Sequence, residues 1–278
     1  MRSRRRPAAR GRPRKESRAP LQSRPRSGIW QAMTEHTRAP DSSERSTASL
    51  AGGAEPVWLF DLDNTLYPYA CRLFDQVDRR MGEFVAGYLG LDAVEARAVQ
   101  KRYLREYGTT LTGLMQVHGL NPERYLSYVH AIDLSPVEPA PHLDAALQRL
   151  PGRKLIYTNA NTGHADAVLD KLGIAHHFEA TFDIVAARFT PKPHREPFDR
   201  LLAQHGIDPE GTVFFDDMPR NLAPAAELGM TTVWVESDSE WARLEYTGEE
   251  AFVHHRTRDL AAWLDACAGR APGEIPKA

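Results

Sequence analysis

Cysteine is almost absent from this chain: Cys71 and Cys267 are the only two in 278 residues, far apart and in no C-x-x-C pair. That speaks against a disulfide framework or a thiolate zinc site and leads us to expect a reducing, cytoplasmic setting. Long apolar runs are missing too. No stretch approaches the roughly 18 consecutive apolar residues that a membrane-spanning helix needs. Glycine and proline, 19 and 20 residues, are too few and too aperiodic for a collagen-like or low-complexity chain. What remains is long enough to bury a sizeable core.

The formal net charge of −2 hides a partition. Residues 1–54 hold thirteen Lys/Arg against four Asp/Glu, a formal +9, and residues 55–278 hold 22 against 33, a formal −11. The first segment is rich in Arg, Pro, Ser and Ala and poor in aliphatic side chains, so it is expected to be disordered. Its arginines suit contact with nucleic acid through residues 1–32. The composition equally resembles an organellar transit peptide or an inert extension, and Met33 is an alternative start of translation.

Regular structure begins at Val57-Trp58-Leu59-Phe60, an apolar run halted by Asp61-Leu62-Asp63, which reads as a buried strand delivering carboxylates at its end. From about 75 to 135 the pattern is helical: Phe74, Val77, Met81, Phe84, Val85 and Tyr88 recur on one face. A second helix is expected over Ala93–Glu106 and a third over Pro122–His130. Strands then alternate with helices. Strands are expected at Lys154–Thr158, weakly at Ala180–Ile184, at Thr212–Phe215 and at Thr231–Val235. The intervening helices are expected near 143–150, 162–172, 197–205 and 221–228, and Leu260–Ala268 reads as a final amphipathic helix. This order implies an α/β fold, a parallel sheet with helices on both faces and a helical insertion after the first strand.

In such sheets ligands bind beyond the carboxyl ends of the strands, where Asp61, Asp63, Thr158, Asp216 and Asp217 all fall. Two carboxylates spaced as in Asp61-Leu62-Asp63 can share a face, one as nucleophile and one as proton donor. The pair Asp216-Asp217 brought beside them would repel unless a cation intervened, and hard oxygen ligands favour Mg²⁺. The Thr158 hydroxyl and the Asn159 N–H can hold phosphate oxygens, and Lys192, confined between Pro191 and Pro193, offers a fixed cation. The pairs His176-His177 and His254-His255 lack the i, i+4 spacing of helical metal ligands and read as surface residues.

The order D-x-D-x-T (Asp61 to Thr65), Thr158-Asn159, Lys192-Pro193, Asp216-Asp217 resembles the four motifs of the haloacid dehalogenase superfamily over residues 57–236. The resemblance implies a Rossmann-like core at 55–67 and 141–270, an α-helical cap at 68–140 and a flexible end at 271–278. It implies that Asp61 is the nucleophile, forming an aspartyl-phosphate. Asp63 would then be the acid and base, Thr158 the phosphate-binding hydroxyl, and Lys192 the stabilising cation. For Mg²⁺ it implies Asp61, Asp217 and the Asp63 carbonyl as ligands, with Asp216 acting through water. A dehalogenase needs no acid at position 63, because a halide leaves without a proton, so Asp63 argues for phosphate esters.

Three stretches resemble the pyrimidine 5′-nucleotidase branch more narrowly: Asp61–Pro68, Tyr103–Met115 and Phe214–Leu222. That implies a nucleoside 5′-monophosphate as substrate, with Tyr67, Tyr107, Thr110 and Met115 as candidate cap-side contacts. Two alternatives stay open: a phosphatase for sugar phosphates or other small phosphomonoesters, and a nucleic-acid-binding or regulatory protein that uses the basic segment.

Overall fold

The computed structural model describes residues 55–238, 250–270 and 275. The expectations placed on residues 1–54, and on 271–278 apart from Ile275, lie outside the described residues.

Six parallel strands form one sheet: β1 (Val57–Phe60), β2 (Arg153–Tyr157), β3 (Ala180–Phe182), β4 (Thr212–Asp216), β5 (Thr231–Val235) and β6 (His255–Thr257), in the order β3-β2-β1-β4-β5-β6. β1 lies between β2 and β4, with Leu59 opposite Leu155 on one side and Phe214 on the other. The strand order reverses at β1, so its carboxyl end is where a ligand crevice opens in a doubly wound sheet.

Alternation along the strands feeds two cores. Trp58 and Phe60 of β1 join Ile156 and Phe215 on one face, covered by α5 (Pro141–Arg149), α6 (Thr162–Leu172) and α9 (Leu260–Ala266). Val57 and Leu59 join Leu155, Tyr157 and Phe214 on the other, covered by α7 (Arg195–His205) and α8 (Pro219–Glu227). Ile275 is buried in the first core, at a place where a flexible end was expected.

Between β1 and α5 the chain forms α1 (Leu73–Leu89), α2 (Ala93–Tyr107), α3 (Thr110–His118) and α4 (Pro122–Val129). These carry their own apolar cluster, including Val77, Phe84, Tyr103, Leu114, Tyr125 and Val129. α2 starts on a capping box, Asp92 accepting from the Glu95 backbone while the Glu95 side chain accepts from the Asp92 N–H. Leu73 and Val137, inside the stretch assigned to a cap, pack instead into the first core of the sheet and anchor both ends of the insertion. Among the described residues no helix is long and apolar enough to cross a membrane.

Candidate active site

Asp61 leaves β1 with its N–H bonded to the Phe215 carbonyl (2.8 Å), so the sheet ladder itself fixes where the carboxylate emerges. The chain then turns tightly. Asn64 takes φ 60°, a left-handed conformation that Asn tolerates, and the Leu62 carbonyl accepts from Thr65 and Leu66. The turn swings the Thr65 hydroxyl back to donate to Asp61 Oδ2 at 3.1 Å.

Lys192 enters from the loop before α7 and is buried. Its Nζ donates to Asp61 Oδ1 (2.7 Å), Asp216 Oδ2 (2.6 Å) and the Tyr157 carbonyl (3.0 Å), using all three protons. Asn159 braces this loop, its Oδ1 accepting from the Lys192 N–H at 2.9 Å. Thr158 Oγ1 accepts from the Ala160 N–H at 3.0 Å, opening the turn into α6.

The two β4 carboxylates differ. Asp216 is fully buried, and its Oδ1 accepts from the Met218 N–H (2.8 Å) and the Asn221 amide (2.9 Å) while Lys192 takes Oδ2. Among the described residues the Asp217 carboxylate receives only a long contact, from the Ser237 hydroxyl at 3.5 Å. Carboxylate oxygens of Asp61, Asp216 and Asp217 lie within 4.8 Å of one another, all three residues buried. Burial raises the pKa of Asp61, with the Asp216 charge adding and Lys192 opposing. Burial, then Asp61 and Asp216, push Asp217 well above the ordinary carboxylate range. One ammonium thus serves three buried carboxylates, and the all-oxygen donor set fits a hard divalent cation.

Asp63 faces different company. Its Oδ1 accepts from the Tyr67 hydroxyl (2.7 Å) and from His164 Nε2 (2.8 Å), on the first turn of α6. Burial opposes its ionisation, yet His164 and Tyr67 outweigh burial and hold its pKa at about 2. Burial likewise works against the charged His164 ring, but Asp63 leaves its pKa raised.

These groups floor a cavity of about 810 Å³. Asp61, Asp63, Thr158, Asn159, Lys192 and Asp217 line one side. The insertion supplies the other with apolar Phe74, Met81, Leu104 and Leu126 and with polar Tyr107 and Thr110. Arg220 also lines it, with a buried Nε that has no hydrogen-bond partner among the described residues.

The structure therefore brings Asp61, Asp63, Thr158, Asn159, Lys192, Asp216 and Asp217 together around one crevice. Two expected cap-side contacts fall elsewhere. Tyr67 does not line the cavity; its ring is buried in the first core while its hydroxyl donates to Asp63. Met115, half-buried, packs against the helical cluster and is not among the residues that line the cavity. His164 and Arg220 went unassigned in the sequence. Of the histidine pairs, His176 and His177 converge on Asp144 Oδ1, at 3.2 and 2.7 Å, away from this crevice.

A family model described as haloacid dehalogenase-like hydrolase matches residues 57–229. The chain belongs to the haloacid dehalogenase-like hydrolases. It is 29% identical, over 195 residues, to phosphate metabolism protein 8 of Saccharomyces cerevisiae, a match covering 64% of this chain and 60% of the yeast protein. The chain thus spans less than two thirds of that relative's length. Among solved structures, a haloacid dehalogenase-type phosphatase from Thermococcus onnurineus superposes with a TM-score of 0.52 at 17% identity, covering 77% of this chain and 99% of that one. The L-2-haloacid dehalogenase PA0810 gives a TM-score of 0.51 at 16% identity with the same coverages. At such identities the likeness is one of fold, and it is shared with a phosphatase and a dehalogenase alike.

Proposed function

We propose that this hydrolase is a Mg²⁺-dependent phosphomonoesterase that works through an aspartyl-phosphate on Asp61 and takes pyrimidine nucleoside 5′-monophosphates as substrates. The observation that carries the reading is the second carboxylate: Asp63 lines the cavity beside Asp61, and two donors hold one of its oxygens. A halide leaving group would give that residue nothing to do.

An Asp61 oxygen attacks phosphorus, the bond from phosphorus to the ester oxygen breaks, and the departing alkoxide takes a proton from Asp63. Asp63, now a carboxylate, deprotonates a water that attacks the aspartyl-phosphate, releasing phosphate and restoring Asp61. In the free site His164 and Tyr67 favour the ionised form of Asp63, the state in which the second half of this cycle begins. For the first half, a phosphate dianion brought beside it works in the opposite direction and raises its proton affinity. Lys192 and the Thr158 hydroxyl stabilise the transferred phosphoryl group.

Asp61, Asp217 and the Asp63 backbone carbonyl would hold the cation, with Asp216, whose oxygens Lys192, Met218 and Asn221 already engage, acting through water. When bound, Mg²⁺ supplies positive charge that offsets both the carboxylates and the phosphate. The nucleotide part of the reading rests on the resemblance of Tyr103–Met115 and on a cavity that joins apolar walls to polar Tyr107, Thr110 and Arg220, as a flat base with a polar edge requires.

Phosphate release from a panel of uridine and cytidine 5′-monophosphates and sugar phosphates, with and without Mg²⁺, tests the proposal. Release should favour the pyrimidine nucleotides, require Mg²⁺ and vanish in Asp61→Asn. Turnover of sugar phosphates alone would sink the nucleotide assignment, and near wild-type turnover by Asp61→Asn would sink the covalent mechanism.

A further inference from the structure

Asp63 Oδ1 receives two hydrogen bonds from unrelated directions. The Tyr67 hydroxyl comes from the same turn, four residues on, and His164 Nε2 comes from α6, 101 residues away in sequence. A carboxylate oxygen has two lone pairs, so Oδ1 is filled. Among the described residues nothing donates to Oδ2, and Asp63 borders the cavity. A carboxylate held only by Tyr67 could still turn about its own bonds. The second donor removes that freedom and leaves Oδ2 as the atom presented to a ligand.

His164 is itself held firmly. Its side chain is 1% exposed, and its backbone N–H donates to the Asn161 side chain that caps α6, at 3.2 Å. Its ring stacks on His130, with centroids 4.5 Å apart and planes 18° apart. His130 caps the carboxyl end of α4, its N–H bonded to the Leu126 carbonyl, and so belongs to the helical insertion. A carboxylate accepts only, so His164 Nε2 carries the proton of this bond.

We propose that His164 is a positioning residue that orients Asp63 toward the ester oxygen, and that His130 of the insertion holds the His164 ring in place. The inference rests on the phosphomonoesterase reading above. A buried histidine that merely filled space would affect folding, whereas one that orients the acid affects only those reactions whose leaving group needs a proton. Release of p-nitrophenolate needs none, because that anion is stable in water; release of a nucleoside alkoxide does.

The test is rapid-mixing measurement of leaving-group release in a single turnover, enzyme in excess with Mg²⁺, from uridine 5′-monophosphate and from p-nitrophenyl phosphate. His164→Ala should slow uridine release about 10²-fold and nitrophenolate release by at most about tenfold. His164→Gln, whose amide can reach the place of Nε2, should recover most of the loss. His130→Ala should show the same split at smaller size, and it carries the test if thermal melting shows that His164→Ala does not fold. Equal losses on both esters, or no loss on either, overturn the inference while leaving the phosphatase reading standing. If the wild-type protein releases no leaving group from either ester, the phosphatase reading falls and the inference falls with it.

Discussion

Lys192 sets the charge balance of the crevice. Methionine would nearly match its stem but leave Asp61 and Asp216 buried without a countercharge, and stripping one partner from a buried ion pair costs about 3–5 kcal/mol. Lys192→Met should therefore melt well below the wild type and release no phosphate; a melting temperature within error of wild type would contradict the ion-pair account. Arg220 tests substrate binding. With its Nε unpartnered among the described residues and the side chain lining the cavity, Arg220→Met should raise KM about tenfold and leave kcat nearly unchanged, the pattern of lost uniform binding. His130 carries a pH dependence. Burial disfavours its charged form and the neighbouring His164 adds to this, so its pKa falls from 6.5 to about 4. Between those values the unfolded chain binds a proton that the folded chain refuses, so stability present above pH 6.5 is lost as the pH drops towards 4, by up to about 3 kcal/mol. Urea midpoints at about pH 7 and about pH 5 should differ less in His130→Asn than in the wild type. At this scale Asp61, Asp63, Lys192 and the Asp216-Asp217 pair were legible, because each sits in a short local pattern beside a strand end or between prolines. His164 was not, since a single histidine in a helix carries no local signal and its partner lies 101 residues away.

Among the elements, α3 shows how packing overrides local preference. Thr110-Leu111-Thr112-Gly113 is a weak helix former, and the sequence reading placed no separate helix between Glu106 and Pro122. The Thr109 side chain caps the segment and Gly119 closes it with φ 63°, while Leu111 and Leu114 face the insertion's apolar cluster. Gly113 is the point of closest approach. A Cβ there would sit 2.4 Å from Tyr103 Cγ, and Tyr103 cannot retreat, being buried with its hydroxyl bonded to His118 Nε2 at 2.7 Å. Alanine gains about 1 kcal/mol of helix propensity, but overpacking costs about 1–3 kcal/mol or more, so the clash wins. Gly113→Ala should lower the melting temperature, and because Tyr107 and Thr110 line the cavity from α2 and α3, KM should rise with it. β6 escaped the sequence reading for the opposite reason. His255-Arg256-Thr257 is a polar edge strand of three residues, recruited by pairing with Val233, Trp234 and Val235 and not by an apolar run. The central strands, apolar and flanked by acidic or turn residues, were legible within one or two positions.

For the whole molecule, the −11 carried by residues 55–278 concentrates part of its cost where Asp61, Asp216 and Asp217 share one buried crevice. Which residues of the insertion face the cavity was not legible, because the cavity joins β1, β2, β4 and α8 to helices that only tertiary packing places. The charge, by contrast, yields a global measurement. A cation that binds only the folded protein adds about 2.7 kcal/mol at a concentration 100-fold above its Kd. For a domain of this size each kcal/mol moves Tm by about 2–4 °C, so saturating Mg²⁺ should raise Tm by roughly 5–10 °C and a chelator should reverse it. Asp217→Asn separates this from general salt effects. It removes a ligand but also relieves repulsion among the carboxylates, so the variant should melt higher than the wild type when Mg²⁺ is withheld and gain little when Mg²⁺ is supplied. A full Mg²⁺ shift in Asp217→Asn, or an equal shift from sodium chloride at matched ionic strength, would remove the crevice as the cation site.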